Sequence, residues 1–149
     1  MMLDQQAQTE LSIKQRQTQY TILPQIVIFD DDDELLDELK DALSLNYEVE
    51  AFSDSANAFD IICKLKPDLI ITDMKMSPKT GFQLAYELKK FEGTKSIPII
   101  AITGVFVEKE HTLMMKLSGI KRIIIKPFDS DQLIEEIDSV LKEFKPSWV

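Results

Sequence analysis

The chain has 149 residues, 44% hydrophobic and 29% charged, with a formal net charge of −9. That length accommodates one well-buried core and is short for two. The acidic balance argues against direct nucleic-acid binding, which needs a basic face, and equally against docking on an anionic membrane.

Residues 1–24 are rich in Gln and Thr, carry few large apolar groups (Leu3, Leu11, Ile13) and end at Pro24. They are expected to form a polar extension, either disordered or loosely helical. The start of the chain has neither a basic stretch nor an apolar one, so no signal peptide is expected. No run approaches the ~18 apolar residues of a membrane span, and a cytoplasmic placement is the expectation.

From residue 25 to 145 short apolar runs alternate with amphipathic segments. Ile26-Val27-Ile28-Phe29 reads as a buried strand, followed at helical spacing by Leu35, Leu36, Leu39, Ala42 and Leu43. Tyr47, Val49 and Ala51 alternate with Glu48 and Glu50, the pattern of an edge strand. Phe59, Ile62 and Cys63 predict a second helix that stops before Pro67. Cys63, the single cysteine, is expected to be a buried, inert thiol. Leu69-Ile70-Ile71 predicts a third buried segment running into Asp73. Leu84, Ala85, Leu88 and Phe91 give the next helix, and Ile97 to Ile102 the fourth strand. Leu113, Met114 and Leu117 fall on a further helix, with Met114 and Met115 expected to divide between surface and core. Ile123-Ile124-Ile125 is the fifth strand. Leu133, Ile134, Ile137, Val140, Leu141 and Phe144 predict the final helix, followed by a tail, 146–149. Such a series of βα units implies an α/β fold, a parallel sheet with helices on both faces.

In an open α/β sheet ligands bind beyond the carboxyl ends of the strands. The first strand runs into Asp30-Asp31-Asp32-Asp33-Glu34, the third into Asp73, the fourth into Thr103-Gly104 and the fifth into Lys126-Pro127. Clustered carboxylates repel unless a cation joins them, and an all-oxygen site suits a hard divalent ion such as Mg²⁺ or Mn²⁺. A carboxylate nucleophile, a metal, an ammonium and a hydroxyl are the equipment for holding a phosphoryl group. Asp32, Asp33 and Glu34 read instead as helix N-terminal residues that satisfy orphan N–H groups. His111 has no second histidine or cysteine to share a metal and reads as a surface or partly packed side chain.

These segments, with Pro67-Asp68, Gly81-Phe82 and Lys126-Pro127-Phe128, resemble the receiver domain of response regulators from residue 26 to about 145. The resemblance implies a flavodoxin-like, doubly wound five-stranded parallel sheet of order 2-1-3-4-5. It implies that Asp73 is the phosphoacceptor and that Asp30, Asp31, Asp73 and the carbonyl of Lys75 hold the metal. Thr103 and Lys126 then contact the phosphoryl oxygens, and the peptide before Pro127 is cis. The implied phosphodonor is a sensor histidine kinase or a histidine phosphotransfer protein, and the implied readout is a conformational change sensed by a downstream protein partner.

A second resemblance, to haloacid dehalogenase phosphatases, rests on Phe29-Asp30-x-Asp32, with Asp30 as nucleophile and Asp32 as acid/base. It fails downstream, where only Asp129, Ser130 and Asp131 at a helix start could supply the further acidic ligands. A receiver that signals without phosphorylation is the other alternative, yet all five key side chains of the chemistry are present. Departures from the receiver pattern are Ser77-Pro78 in place of an earlier proline, Thr80 for an acidic residue, and Ile123 for an aromatic switch residue. With Ile123 unable to swing a ring, switching is expected to run through the loop from Gly104 to Glu110. Lys75 and Val105 are expected to flank the path of the hydrolytic water. Only Lys145 to Val149 follow the last helix, so output is expected to go through a partner, dimerisation or onward phosphotransfer.

Overall fold

Aliphatic runs that must leave water on both sides of a sheet define the middle of the molecule. In the computed structural model, which describes residues 22–104 and 109–144, three such runs form central strands: β1 (Gln25–Phe29), β3 (Leu69–Asp73) and β4 (Ile99–Thr103). β2 (Glu48–Phe52) and β5 (Ile120–Ile125) form the edges of a five-stranded sheet of order β2-β1-β3-β4-β5. Every pairing is parallel, with Ile26 opposite Leu69, Asp73 opposite Ile102 and Thr103 opposite Ile125. The carboxyl ends of β1, β3, β4 and β5 therefore open on one rim. The expected doubly wound order is the observed one.

Alternate side chains of each strand feed two cores. Ile26, Ile28, Ile71 and Ile100 point to one face, where α1 (Asp33–Leu43) supplies Leu36, Leu39 and Leu43 and α5 (Ser130–Phe144) supplies Leu133, Ile137, Val140 and Leu141. Val27, Phe29, Ile70 and Ala101 point to the other. There α2 (Ala58–Leu65) contributes Ile62, α3 (Gly81–Lys89) Leu84 and Leu88, and α4 (Lys109–Leu117) Met115.

Local signals set the helix ends. Asp32 caps α1 as expected, its Oδ1 accepting from Leu35 N at 3.2 Å, and Asp33 and Glu34 lie in the first turn, where their charge suits the helix dipole. Thr80 caps α3 in a capping box: its Oγ1 accepts from Gln83 N at 3.2 Å, while Gln83 Oε1 accepts from Thr80 N at 2.9 Å. The residue that departs from the receiver pattern thus serves the helix. Gly81 follows because a Cβ there would meet Met74 Sδ at 2.7 Å and Asp73 O at 3.1 Å.

Three expectations need correction. Cys63 is exposed, because it lies one residue, about 100° of helix rotation, past the inward-facing Ile62. Phe91 lies beyond the end of α3, half exposed, with its ring centroid 4.9 Å from that of Phe59. The fourth strand begins at Ile99 rather than Ile97: Ile97 N donates to Thr94 O in a turn, and Pro98 has no N–H to give. The methionines of α4 divide as expected, Met115 inside and Met114 outside, but Leu113 (60% exposed) and Leu117 also face outward. The expected N-terminal extension lies outside the described residues up to position 21, as do residues 105–108 of the proposed switch loop and the side chain of His111.

Removing buried Ile137 by Ile137→Ala is expected to cost about 2–5 kcal/mol, because the packed α5 face can close over the space only in part. Leu113→Ala is expected to stay within about 0.5 kcal/mol. Urea denaturation midpoints of the two variants against the parent check both values.

Candidate functional site

Each strand of the rim ends by delivering one polar group. Asp30 follows β1 directly, and its N–H still donates to Phe52 O at 3.1 Å, so its side chain is held at the mouth of the sheet and is 0% exposed. Its Oδ1 accepts from Asp32 N at 2.9 Å, and its Oδ2 lies 2.8 Å from Lys126 Nζ. That Oδ2 accepts no hydrogen bond of normal geometry and is balanced by the ion pair alone. Asp73 closes β3, nearly buried, with Oδ1 accepting from Lys75 N at 3.0 Å and Oδ2 accepting from Lys126 Nζ at 3.3 Å. Asp31 is exposed beside them, and carboxylate oxygens of Asp30, Asp31 and Asp73 all lie within 4.8 Å of one another.

The other two strands supply the hydroxyl and the cation. Thr103, buried at the end of β4, accepts through its carbonyl from Lys126 N at 2.7 Å, which ties the fourth and fifth strand ends together. The Lys126–Pro127 peptide is cis, as is Ser77–Pro78. Gly104 borders the rim with open space where a Cβ would stand. Ile123 is set apart from this group: it is half-buried and packs against the core on the α2–α4 side.

Burial is the main influence on Asp30 and pushes its carboxyl above the ordinary value of 3.8, although the adjacent Lys126 ammonium and the Asp32 N–H pull it down. For Lys126, burial pulls the ammonium down, but the ion pair with Asp30 and the charge and hydrogen bond of Asp73 outweigh it and leave it raised. The ammonium is therefore a fixed positive charge at neutral pH. One cation faces three carboxylates. A donor set of hard oxygens, with a buried Oδ2 lacking a hydrogen bond, fits a divalent ion such as Mg²⁺.

Comparison with known proteins agrees with this geometry. Residues 26–138 match the family model described as the response regulator receiver domain, and the chain belongs to that family. It is 31% identical over 122 residues to the phosphate regulon transcriptional regulatory protein PhoB of Pseudomonas aeruginosa, covering 81% of this chain and 53% of that protein. The sensor histidine kinase TmoS of Ectopseudomonas mendocina matches at 26% over 118 residues, 79% of this chain but 12% of the kinase. The chain thus spans about half the length, or less, of these relatives. Among solved structures, chemotaxis protein CheY4 of Vibrio cholerae superposes with a TM-score of 0.75 at 26% identity, covering 80% of this chain and 100% of that one. A CheY-like receiver domain protein from Methanospirillum hungatei gives 0.76 at 27% identity, with 85% and 99% covered.

The rim residues singled out from the sequence, Asp30, Asp31, Asp73, Thr103 and Lys126, come together here. One buried polar residue close to this region escaped that reading: Ser55, 0% exposed, in the connection after β2. No motif or periodicity marks it, since its partners are backbone groups of a loop 24 residues further on.

Asparagine at position 30 imitates the protonated carboxyl, so Asp30→Asn is expected to raise the urea midpoint of the metal-free protein at pH 7. Between 3.8 and the raised folded-state value the native protein binds more proton at this group than the unfolded chain. Parent stability from Asp30 therefore grows as pH falls through that window, and the advantage of the variant shrinks. Denaturation at a series of pH values checks both the sign and the trend.

Proposed function

We propose that this receiver domain accepts a phosphoryl group on Asp73 in a reaction that depends on Mg²⁺ or Mn²⁺, and signals to a protein partner through the resulting change in shape. The observation that carries the reading is the placement of the Asp73 carboxylate. It is buried at the end of a central strand, 3.3 Å from the Lys126 ammonium and grouped with Asp30 and Asp31.

Asp30, Asp31, Asp73 and the Lys75 carbonyl would hold the metal, which supplies charge neutralisation for the phosphoryl oxygens. A carboxylate oxygen of Asp73 attacks phosphorus; the P–N bond to a donor phosphohistidine breaks as the new P–O bond forms, its electron pair stays on the ring nitrogen, and the imidazole, already protonated on its other nitrogen, leaves neutral. Lys126 moves its pairing from the two carboxylates to the incoming phosphoryl oxygens, and the Thr103 hydroxyl donates to one of them. The Lys75 N–H, already on Asp73 Oδ1, orients the carboxylate and leaves Oδ2 on the side of Lys126.

Occurrence of the same domain in sensor kinases and in regulators supports a histidine kinase or histidine phosphotransfer protein as the phosphodonor. A cytoplasmic location fits that partner, and among the described residues no helix is long and apolar enough to cross a membrane. Dehalogenase-type chemistry is disfavoured on geometry: Asp32, its required acid/base, is engaged as the cap of α1.

Incubating the protein with Mg²⁺ and acetyl phosphate, then recording intact mass, is expected to add one acid-labile phosphoryl group to the parent. Asp73→Asn is expected to add none while keeping its fold by circular dichroism. Wild-type stoichiometry on that variant would place the acceptor elsewhere.

A further inference from the structure

We infer that Ser55 is a positioning residue for the metal side of the Asp73 site, fixing the β3–α3 loop so that the Lys75 carbonyl is presented to the ion. The inference rests on the reading of Lys75 as a metal ligand given above.

Ser55 lies three residues past β2, with no role in the strand ladder, and its side chain is fully buried. A buried hydroxyl needs partners, and both of its partners are on one residue. Ser55 Oγ accepts from Lys79 N at 2.7 Å and donates to Lys79 O at 2.7 Å. The backbone N–H of Ser55 adds a third bond, to Ser77 O at 3.3 Å. One residue of the β2–α2 connection thus clamps the far arm of the β3–α3 loop.

The near arm is tied to the rim itself. Met74 N donates to Ile102 O at 3.0 Å, Lys75 N donates to Asp73 Oδ1 at 3.0 Å, and Gly81 N returns to Met74 O at 3.2 Å. Met74 and Met76 point into the core. Lys75 is therefore carried between a near anchor at Asp73 and a far anchor at Ser55. A carboxylate ligand can rotate to recover an ion, but a backbone carbonyl is aimed only by the loop that carries it. Loss of the Ser55 hydroxyl leaves the partly buried N–H and C=O of Lys79 without these bonds, and the loop has to shift or admit water to satisfy them.

A purely structural serine would alter stability and leave metal affinity alone. Calorimetric titration of MgCl₂ into the full chain separates the two cases. Ser55→Ala is expected to weaken Mg²⁺ binding by about 10-fold, the size of effect usual for groups that orient metal ligands. Ser55→Thr, which keeps the hydroxyl, is expected to stay within about 2-fold of the parent. Ser55→Cys, close in volume but a poor hydrogen-bond partner, is expected to behave like Ser55→Ala, and serves in its place should the alanine variant not fold. Parent-like affinity in the alanine or cysteine variant, with only a lowered melting temperature, would overturn the inference. So would a threonine variant as weak as the alanine one. A parent protein that takes up no Mg²⁺ would instead overturn the metal-ligand reading on which the inference stands.

Discussion

The Lys126 ammonium lies 2.8 Å from Asp30 and 3.3 Å from Asp73, and this three-membered ion group governs how the rim is built. A fully buried carboxylate without a counter-charge would be expelled or protonated. Here the counter-charge comes from the edge strand β5, three strand positions away from β1. The parallel register is what brings it there, since the ends of four strands must finish level for one side chain to span the gap. The two-sided core serves that end: it packs β1, β3 and β4 between helices on both faces, so the rim has little freedom to spread.

The same group explains why the site is poised for chemistry. One ammonium partly offsets two carboxylates, and Asp31 adds a third at the exposed side of the cluster. The excess negative charge favours a divalent cation, and in the proposed reaction a cation there would free Lys126 to meet a phosphoryl oxygen. The charges that repel one another on the rim are thereby those that would bind the proposed metal, a common compromise between stability and function.

How much of this was legible in the sequence depends on where each signal lies. Asp30, Thr103 and Lys126 could be read because each stands next to an uninterrupted apolar run, and Asp73 because it stands one residue past one; strand ends in a parallel sheet share a rim. Cys63, Leu113 and Leu117 were harder, because periodicity shows that a helix has an apolar stripe but not how wide a strip its neighbours cover. Among the described side chains of α4, Met115 is covered while Leu113 and Leu117 lie outside. Ser55 was invisible to pattern reading, since its hydrogen bonds go to the backbone of Lys79, and any residue type could have stood there. Thr80 was noted only as a departure, whereas its capping box with Gln83 was present in the letters all along.

The central claim is that the three carboxylates serve one acceptor, Asp73. Borohydride reduces an acyl phosphate to an alcohol and so converts a phosphorylated aspartate to homoserine. Treating the phosphorylated parent with borohydride and sequencing its peptides by mass spectrometry marks the acceptor directly. The account predicts homoserine at position 73 and unaltered aspartate at positions 30 and 31. Homoserine at position 30, or a fully phosphorylated protein with none at position 73, would contradict it.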